Sequence, residues 1–308
     1  MLRSVSVLIC TRDRAEMLES CLRSVLESTV AAAEVIVVDQ SQDEATRLSV
    51  CRYQGGKVPV RYLRGKGVGV SRAKNQGIAD CTSDIIVFTD DDCQVDPGWI
   101  AALIEPLLAG TASASVGRTV SGRAEGDGDE TFSVYAPGSA MAFGPKTHPW
   151  RVGGGGNFAV LRQVLRTVGP FDERFGPGAP LKSAEDMDLV HRLLRAGRRI
   201  VYVPEAVVWH RSWRDHHGSR RLSRSYGIGA GAYFTKYLLA GDLLSGWRFF
   251  QRVAVRSFHL FSGMLRADRR RMSEQAEYLL GLFEGAARFV VQGREAAPTL
   301  PNLESRQA

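Results

Sequence analysis

The first hundred residues alternate between two spacings of apolar side chains. Val5-Ser6-Val7-Leu8-Ile9-Cys10, Glu34-Val35-Ile36-Val37-Val38-Asp39 and Ile85-Ile86-Val87-Phe88 are short, nearly continuous apolar runs, the pattern of strands buried on both faces. Val58 to Leu63 is a weaker third strand that Pro59 assigns to an edge or to a strand start. Ala15 to Leu26 instead places Leu18, Leu22, Val25 and Leu26 at helical spacing, and Val70 to Asp80 predicts a second helix entered through Gly67 and Gly69. Asp96-Pro97 opens a third, with Asp as N-cap and Pro at the first helical position. Strands that alternate with helices in this way predict a mostly parallel sheet, which binds ligands beyond the carboxyl ends of its strands. Thr11-Arg12-Asp13, Asp39 and Asp90-Asp91-Asp92 all follow strand ends, so one cleft can gather them.

The pattern then loosens. Gly122 to Gly128 is rich in glycine and charge, and Gly153 to Gly156 is an unbroken glycine run, which together predict a long, partly mobile loop region. Helical spacing resumes over Ala159 to Val168 and over Ala184 to Arg195, the latter with Leu189, Leu193 and Leu194 on one face and Gly197 just past its end. Ile200 to Val203 and Val207 to His210 read as two strands around Pro204. Helical pattern continues from there to about Gln292, and Pro298 and Pro301 mark a loose tail. The expected division is an α/β domain over 1–210, a helical extension over 211–292 and a flexible tail over 293–308.

A chain of 308 residues, 44% hydrophobic and 24% charged, can bury a sizeable core, and its composition excludes collagenous, disordered and disulfide-stapled classes. The net charge of +7 is unevenly distributed: residues 211–271 hold 13 Lys/Arg against 3 Asp/Glu, while residues 1–210 hold 24 against 25. Five scattered cysteines without a C-x-x-C pair read as reduced, core-filling residues. The N-terminal residues lack a signal-peptide pattern, and no run is long enough to span a bilayer. The expected location is cytoplasmic, with a peripheral position on the inner face of the plasma membrane as an option.

Three carboxylates directly after an apolar strand cannot be left unpaired in a core. A divalent cation relieves their mutual repulsion, and Mg²⁺ or Mn²⁺ takes carboxylate and phosphate oxygens. Capping of the next helix explains Asp90-Asp91-Asp92 less well, because Asp96 already fills that position. Asp39, ending the second strand, has the position from which acids bond a ribose hydroxyl; its plain alternative is a turn former before Ser41. The glycine-rich phosphate loops of dinucleotide-binding and P-loop proteins are both absent. Arg72 and Lys74 lie in the first turns of a helix, where cations need a nearby anion; a nucleoside diphosphate supplies one, and a solvated face is the alternative. Glu185-Asp186-x-Asp188 opens a helix after a glycine-rich approach, a position suited to a base that activates a hydroxyl, although acids in a first turn are also ordinary dipole partners. His210 ends a strand, where an imidazole can complete a Mn²⁺ site or serve structure alone.

In this order and spacing, the motifs resemble those of family 2 inverting glycosyltransferases with a GT-A fold, a Rossmann-like, mostly parallel sheet flanked by helices. The resemblance covers roughly residues 3–210. It rests on Val7 to Arg14, Val35 to Ser41, Gly69 to Gly77 and Phe88-Thr89-Asp90-Asp91-Asp92. It continues through Gly155-Gly156-Asn157-Phe158, Gly169-Pro170-Phe171-Asp172-Glu173 and Glu185-Asp186-x-Asp188-Leu189. It implies that Thr11, Arg12, Asp13, Asp39, Arg72, Asn75, Asp90, Asp91 and Asn157 line a nucleotide-sugar site. Asp90 and Asp92 would be the outer residues of a D-x-D motif holding Mn²⁺ or Mg²⁺, with His210 as a further ligand. Asp186 would be the general base, with Glu185 beside it in the acceptor pocket. Gln40 and Arg12 depart from the residues common at their positions, which leaves the nucleobase open.

The basic segment interleaves Trp213, Tyr226, Trp247, Phe250, Phe258 and Phe261 with Arg214, Arg220, Arg224, Arg248, Arg252 and Arg256. One reading is a segment lying on an anionic membrane, with a lipid-linked or glycan acceptor; the other is an oligomerisation or lid subdomain. No recognition motif for nucleic acid accompanies the charge. His216-His217 reads as basic surface. The competing functions are a nucleotidyltransferase for sugar phosphates, whose basic glycine-rich loop after strand one is missing, and a non-catalytic membrane-associated protein.

Overall fold

The computed structural model describes residues 3–122, 134–211 and 216–292. The tail 293–308, Trp213, Arg214 and most of the Gly122–Gly128 loop lie outside them. Two compact units emerge. One holds the described residues up to Phe171 and those from Asp186 to 211; the other holds Asp172–Glu185 and residues 216–292.

The first unit is built on a sheet whose strands are β1 (Val5–Thr11), β2 (Glu34–Asp39), β3 (Val60–Arg64), β4 (Ile85–Asp90), β5 (Cys93–Val95), β6 (Ala114–Ser121), β7 (Met141–Phe143), β8 (Asn157–Leu161) and β9 (Ile200–His210). Their order is β3-β2-β1-β4-β8-β6-β9-β5, with β7 on β9. β1, β2, β3 and β4 run parallel, and their buried Val and Ile side chains are covered by helices α1 (Ala15–Leu26), α2 (Ala45–Cys51), α3 (Val70–Asp80) and α4 (Trp99–Leu108). α1 turns Leu18, Cys21, Leu22 and Val25 inward, the face expected from their spacing. Register sets the functional edge: Thr11 lies opposite Asp39 and Cys10 opposite Asp90. The chain therefore reverses direction of winding at β1, with β2 on one side and β4 on the other, and the crevice at this switch opens beyond the strand ends.

Two expectations are corrected. Residues 159–161 belong not to a helix but to β8, which is antiparallel to both β4 and β6; α5 begins only at Arg162 and runs to Val168. Asn157 to Leu161 is buried throughout, and such a short apolar run carries no periodicity that separates strand from helix. Pro204 does not divide two strands either. β9 is continuous, and its pairing with β6 jumps from Gly117–Val203 to Arg118–Val207. The proline, lacking an N–H, thus falls in the bulge, where no ladder bond is required.

The second unit contains α7 (His216–Leu239), α8 (Leu243–Leu265) and α9 (Arg269–Val291). α7 and α9 approach at backbone contact: a Cβ added to Gly231 would sit 1.9 Å from the Leu282 carbonyl oxygen, and one on Gly285 1.9 Å from that of Ile228. Asp242 and Asp268 cap α8 and α9 through Leu244 N and Arg271 N. Asp172 is buried between Arg174 (2.7 Å) and Lys236 (2.9 Å). Burial alone would raise its pKa, but the Arg174 hydrogen bond and the Lys236 charge hold the carboxyl well below the usual range. Among the described residues no helix is long and apolar enough to cross a membrane.

Candidate active site

The acidic end of β4 is the centre of the site. Asp91 turns under the sheet edge, where the Thr11 hydroxyl donates to it at 2.7 Å and Arg14 at 2.9 Å. Burial pushes its carboxyl up to about 6 even though Arg14 opposes the shift. Asp91 therefore anchors the loop, and Arg14 also reaches the equally buried Asp92 at 3.5 Å. Asp90 is raised too, first by desolvation and further by Asp92, against the nearby charge of Lys74. Asp92 meets His210, Nε2 to Oδ1 3.5 Å, because β5 and β9 pair antiparallel with Cys93 opposite His210. The peptide N–H of Arg211 closes this corner by donating to the Asp92 carbonyl at 2.9 Å.

Possible ligand atoms of Asp92, Cys93 and His210 lie within 4.8 Å of one another. His210 Nδ1 is buried and has no partner among the described residues. The Cys93 thiol is pushed well up by burial and then by Asp90 and Asp92, so it is the weakest donor of the three for a hard cation. Within this group the Asp92 carboxylate and the His210 imidazole suit Mn²⁺ or Mg²⁺, and Asp90 is near enough to feel the charge of both.

The glycine run closes the site from above. A Cβ on Gly156 would lie 2.2 Å from Asp90 Oδ2, and one on Gly155 2.9 Å from Asp186 Cβ. A methyl group at either position would force the neighbouring aspartate to shift. Gly155 N–H donates to Asp186 Oδ2 at 2.9 Å, and Met187 N–H donates to Oδ1 at 2.8 Å. Asp186 lies in the first turn of α6 (Glu185–Arg195), directly after Ala184, which adopts φ 70°. A left-handed alanine is uncommon and sharpens the turn into the helix. Asp186 borders a small hollow lined by Phe158, Phe171, Leu189 and Val190. Asp188 is fully buried and grips Arg192, which donates in turn to the carbonyls of Val168, Gly169 and Pro170; it fixes the turn leading to Phe171. Glu185 is buried as the residue that begins the helix.

The side expected to hold the nucleotide is built from the ends of β1 and β2. Asp39 is fully buried and accepts from Ser41 N–H at 2.8 Å and from the Tyr62 hydroxyl at 2.8 Å. Asp13, at φ 56°, has its N–H on Ser41 Oγ and its carboxylate 3.3 Å from Arg12. Arg12 and Asp13 are about half exposed at the mouth. Arg72 is exposed on α3, its guanidinium against Gly67.

Two amides expected at the donor are engaged internally. Asn157 accepts from the Trp99 indole at 2.8 Å and donates to the carbonyls of Arg118 and Ala206. Asn75 holds the Phe171 backbone through both its amide atoms at 2.9 Å. Two cations outside the expected set of site residues also face the acids. Arg14 was one residue beyond the expected loop contacts, with nothing local to mark it. Lys74, by contrast, carried a signal, as a cation at a helix start that requires an anion. It is 4% exposed, 5.1 Å from the Phe171 ring centre, and acts on Asp90.

The model of glycosyl transferase family 2 matches residues 6–169. A pre-mycofactocin glycosyltransferase of Mycobacterium tuberculosis is 28% identical over 216 residues, 68% of this chain and 43% of that protein. The chain thus spans less than half of that relative's length. An N-acetylglucosaminyl-diphospho-decaprenol L-rhamnosyltransferase of the same organism is 27% identical over 312 residues, 88% of this chain and 97% of that protein. In fold, the chain resembles the Pyrobaculum calidifontis mannosyltransferase PcManGT, solved with GDP-Man and Mn²⁺, with TM-score 0.63 and 16% identity over 95% of this chain and 88% of the other. It also resembles GalNAc-T7, solved with UDP, GalNAc and Mn²⁺, with TM-score 0.53 and 18% identity over 74% and 48% of the two chains.

Proposed function

The chain belongs to glycosyl transferase family 2, and from that premise we propose that it moves a sugar from a nucleoside-diphosphate sugar to an acceptor hydroxyl with inversion at the anomeric carbon. The observation that carries this reading is the convergence of Asp90, Asp92 and His210 with Asp186 across the glycine run. Asp90, Asp92 and His210 would hold Mn²⁺ or Mg²⁺, and such an ion, when bound, neutralises charge on the departing diphosphate.

The protein's own groups do the rest. Asp186 receives the acceptor proton; its two N–H partners, Gly155 and Met187, fix the carboxylate while leaving its other lone pairs available. Glu185 borders the acceptor side. Asp39, held by Ser41 and Tyr62, receives the ribose or base, and Thr11, Arg12, Asp13 and Arg72 flank the nucleotide. Asp91 belongs to this wall through Thr11 and Arg14. Asn75 and Asn157, occupied by backbone and indole partners, act by positioning Phe171 and the start of β8 rather than by touching the sugar.

The near full-length likeness to a protein named for a decaprenol-linked diphosphate acceptor favours a lipid-linked glycan acceptor in cell-envelope biosynthesis. A nucleotidyltransferase reading finds no support, since the segment after β1 lacks a glycine-rich basic loop. The test is release of nucleoside diphosphate from a panel of nucleotide-sugars by the wild type and by Asp186→Asn. The wild type should turn over one donor. The variant should lose most of that turnover while still binding the nucleotide. Full activity in the variant removes Asp186 as the base.

A further inference from the structure

The outward face of α8 has no role in the proposed reaction. Leu243, Trp247, Phe250, Phe258, Phe261 and Leu265 recur at helical spacing along it and are each between 57% and 78% exposed. A contiguous ridge of this size on a solvated surface marks an interaction site. The helix itself is firmly seated by its opposite side. Ser245, Gly246 and Gly263 are buried, Gly246 lies against Leu238, and Phe249 meets Phe234 and Phe283 at 6.2 and 5.9 Å.

Charge identifies the occupant. α8 carries Arg248 and Arg252 and no carboxylate, and Arg266 and Arg269 follow it around the α9 cap Asp268; Arg256 instead turns inward, 4.0 Å from the Tyr278 ring centre and bonded to Gln275, while Arg270 and Arg271 are engaged by Glu274 and His259. The nearby glutamates of α9 are committed elsewhere: Glu274 to Arg270, Glu277 to Arg220 and Arg224, and Glu284 to Arg224 and Arg288. A second copy of the chain laid on this ridge would bring its Arg248 and Arg252 against those of the first with no α8 carboxylate between them, which is unfavourable. An anionic lipid surface satisfies both features: apolar and aromatic side chains enter the acyl boundary while flanking arginines meet headgroup phosphates. We propose that α8 docks lengthwise on an anionic bilayer, without crossing it.

Sedimentation of the full chain with vesicles tests this. Phosphatidylcholine vesicles are compared with the same vesicles containing phosphatidylglycerol. At least about tenfold more protein should partition onto the anionic vesicles, and the excess should fall as salt rises. The triple variant Phe250→Ser, Phe258→Ser, Phe261→Ser should return partitioning to background with an unchanged melting temperature, since all three side chains are exposed. Equal partitioning of wild type and triple variant overturns the proposal, as does no partitioning of the wild type onto either vesicle. A wild-type dimer in light scattering that the triple variant reduces to a monomer, with neither binding vesicles, assigns the ridge to self-association instead.

Discussion

Gly155 donates its backbone N–H to Asp186 Oδ2 at 2.9 Å, and the space beside it is too small for a methyl group. The glycine run therefore sets where the carboxylate of Asp186, the proposed base, points. The next residue, Gly156, leaves no room for a methyl group beside Asp90 Oδ2.

Gly156→Ala should cost on the order of 10²-fold in kcat, because a Cβ 2.2 Å from Asp90 Oδ2 displaces that carboxylate by about the distance at which positioning is lost. The fold should survive, since the glycine lies in a loop at the cleft. Steady-state kinetics with the accepted donor, alongside a thermal melt, separates the two effects.

Removing the Asp186 carboxylate tests the other side of the same contact. Asp186→Asn should lower turnover by about 10²–10⁴-fold, the contribution of a positioned general base. Nucleotide affinity, measured by calorimetry, should stay within a few-fold of wild type.

Asp92 and His210 make a separable prediction. His210→Ala and Asp92→Asn should each weaken the metal-dependent part of nucleoside-diphosphate binding by about 10-fold or more, while metal-free binding should change little. Titration of the nucleotide with and without Mn²⁺ reads this directly. Equal loss with and without metal contradicts the assignment.

Stability of the helical unit should depend on Asp172. Its carboxyl is held below the usual range, so its stabilising effect is complete above the unfolded pKa of about 4 and disappears as pH falls through the lower folded value. Asp172→Asn removes the buried carboxylate shared by Arg174 and Lys236 and should destabilise the unit by about 3 kcal/mol at neutral pH. The gap in melting temperature between variant and wild type should narrow below about pH 4.

Much of the fold was legible because its central strands are buried on both faces. The runs at Val5, Glu34 and Ile85 are nearly continuous, with the buried Ser6 as the one polar residue inside them, and acids follow their ends. β8 was not legible, since five buried residues fit either period. β9 was misread at Pro204 because a bulge absorbs the missing donor. For the site, the acids and His210 were visible as strand ends, but their meeting depends on the pairing of Cys93 with His210, which no local pattern encodes. The glycine run was legible as a loop; that it must admit Asp90 and Asp186 at backbone distance required their positions. The glycines at 227, 231, 281 and 285 stand four apart, yet their service to helix contact was hidden within an aromatic and basic segment.

The central claim is a metal-dependent nucleotide-sugar site at the ends of β1, β2 and β4. Its most direct test is the melting temperature of the full chain with each nucleoside diphosphate, in the presence and absence of Mn²⁺. The account predicts that one base stabilises the chain in a Mn²⁺-dependent manner, with the shift growing with nucleotide concentration, and that Asp92→Asn abolishes it. No shift with any nucleoside diphosphate, or a shift indifferent to both Mn²⁺ and Asp92, would contradict it.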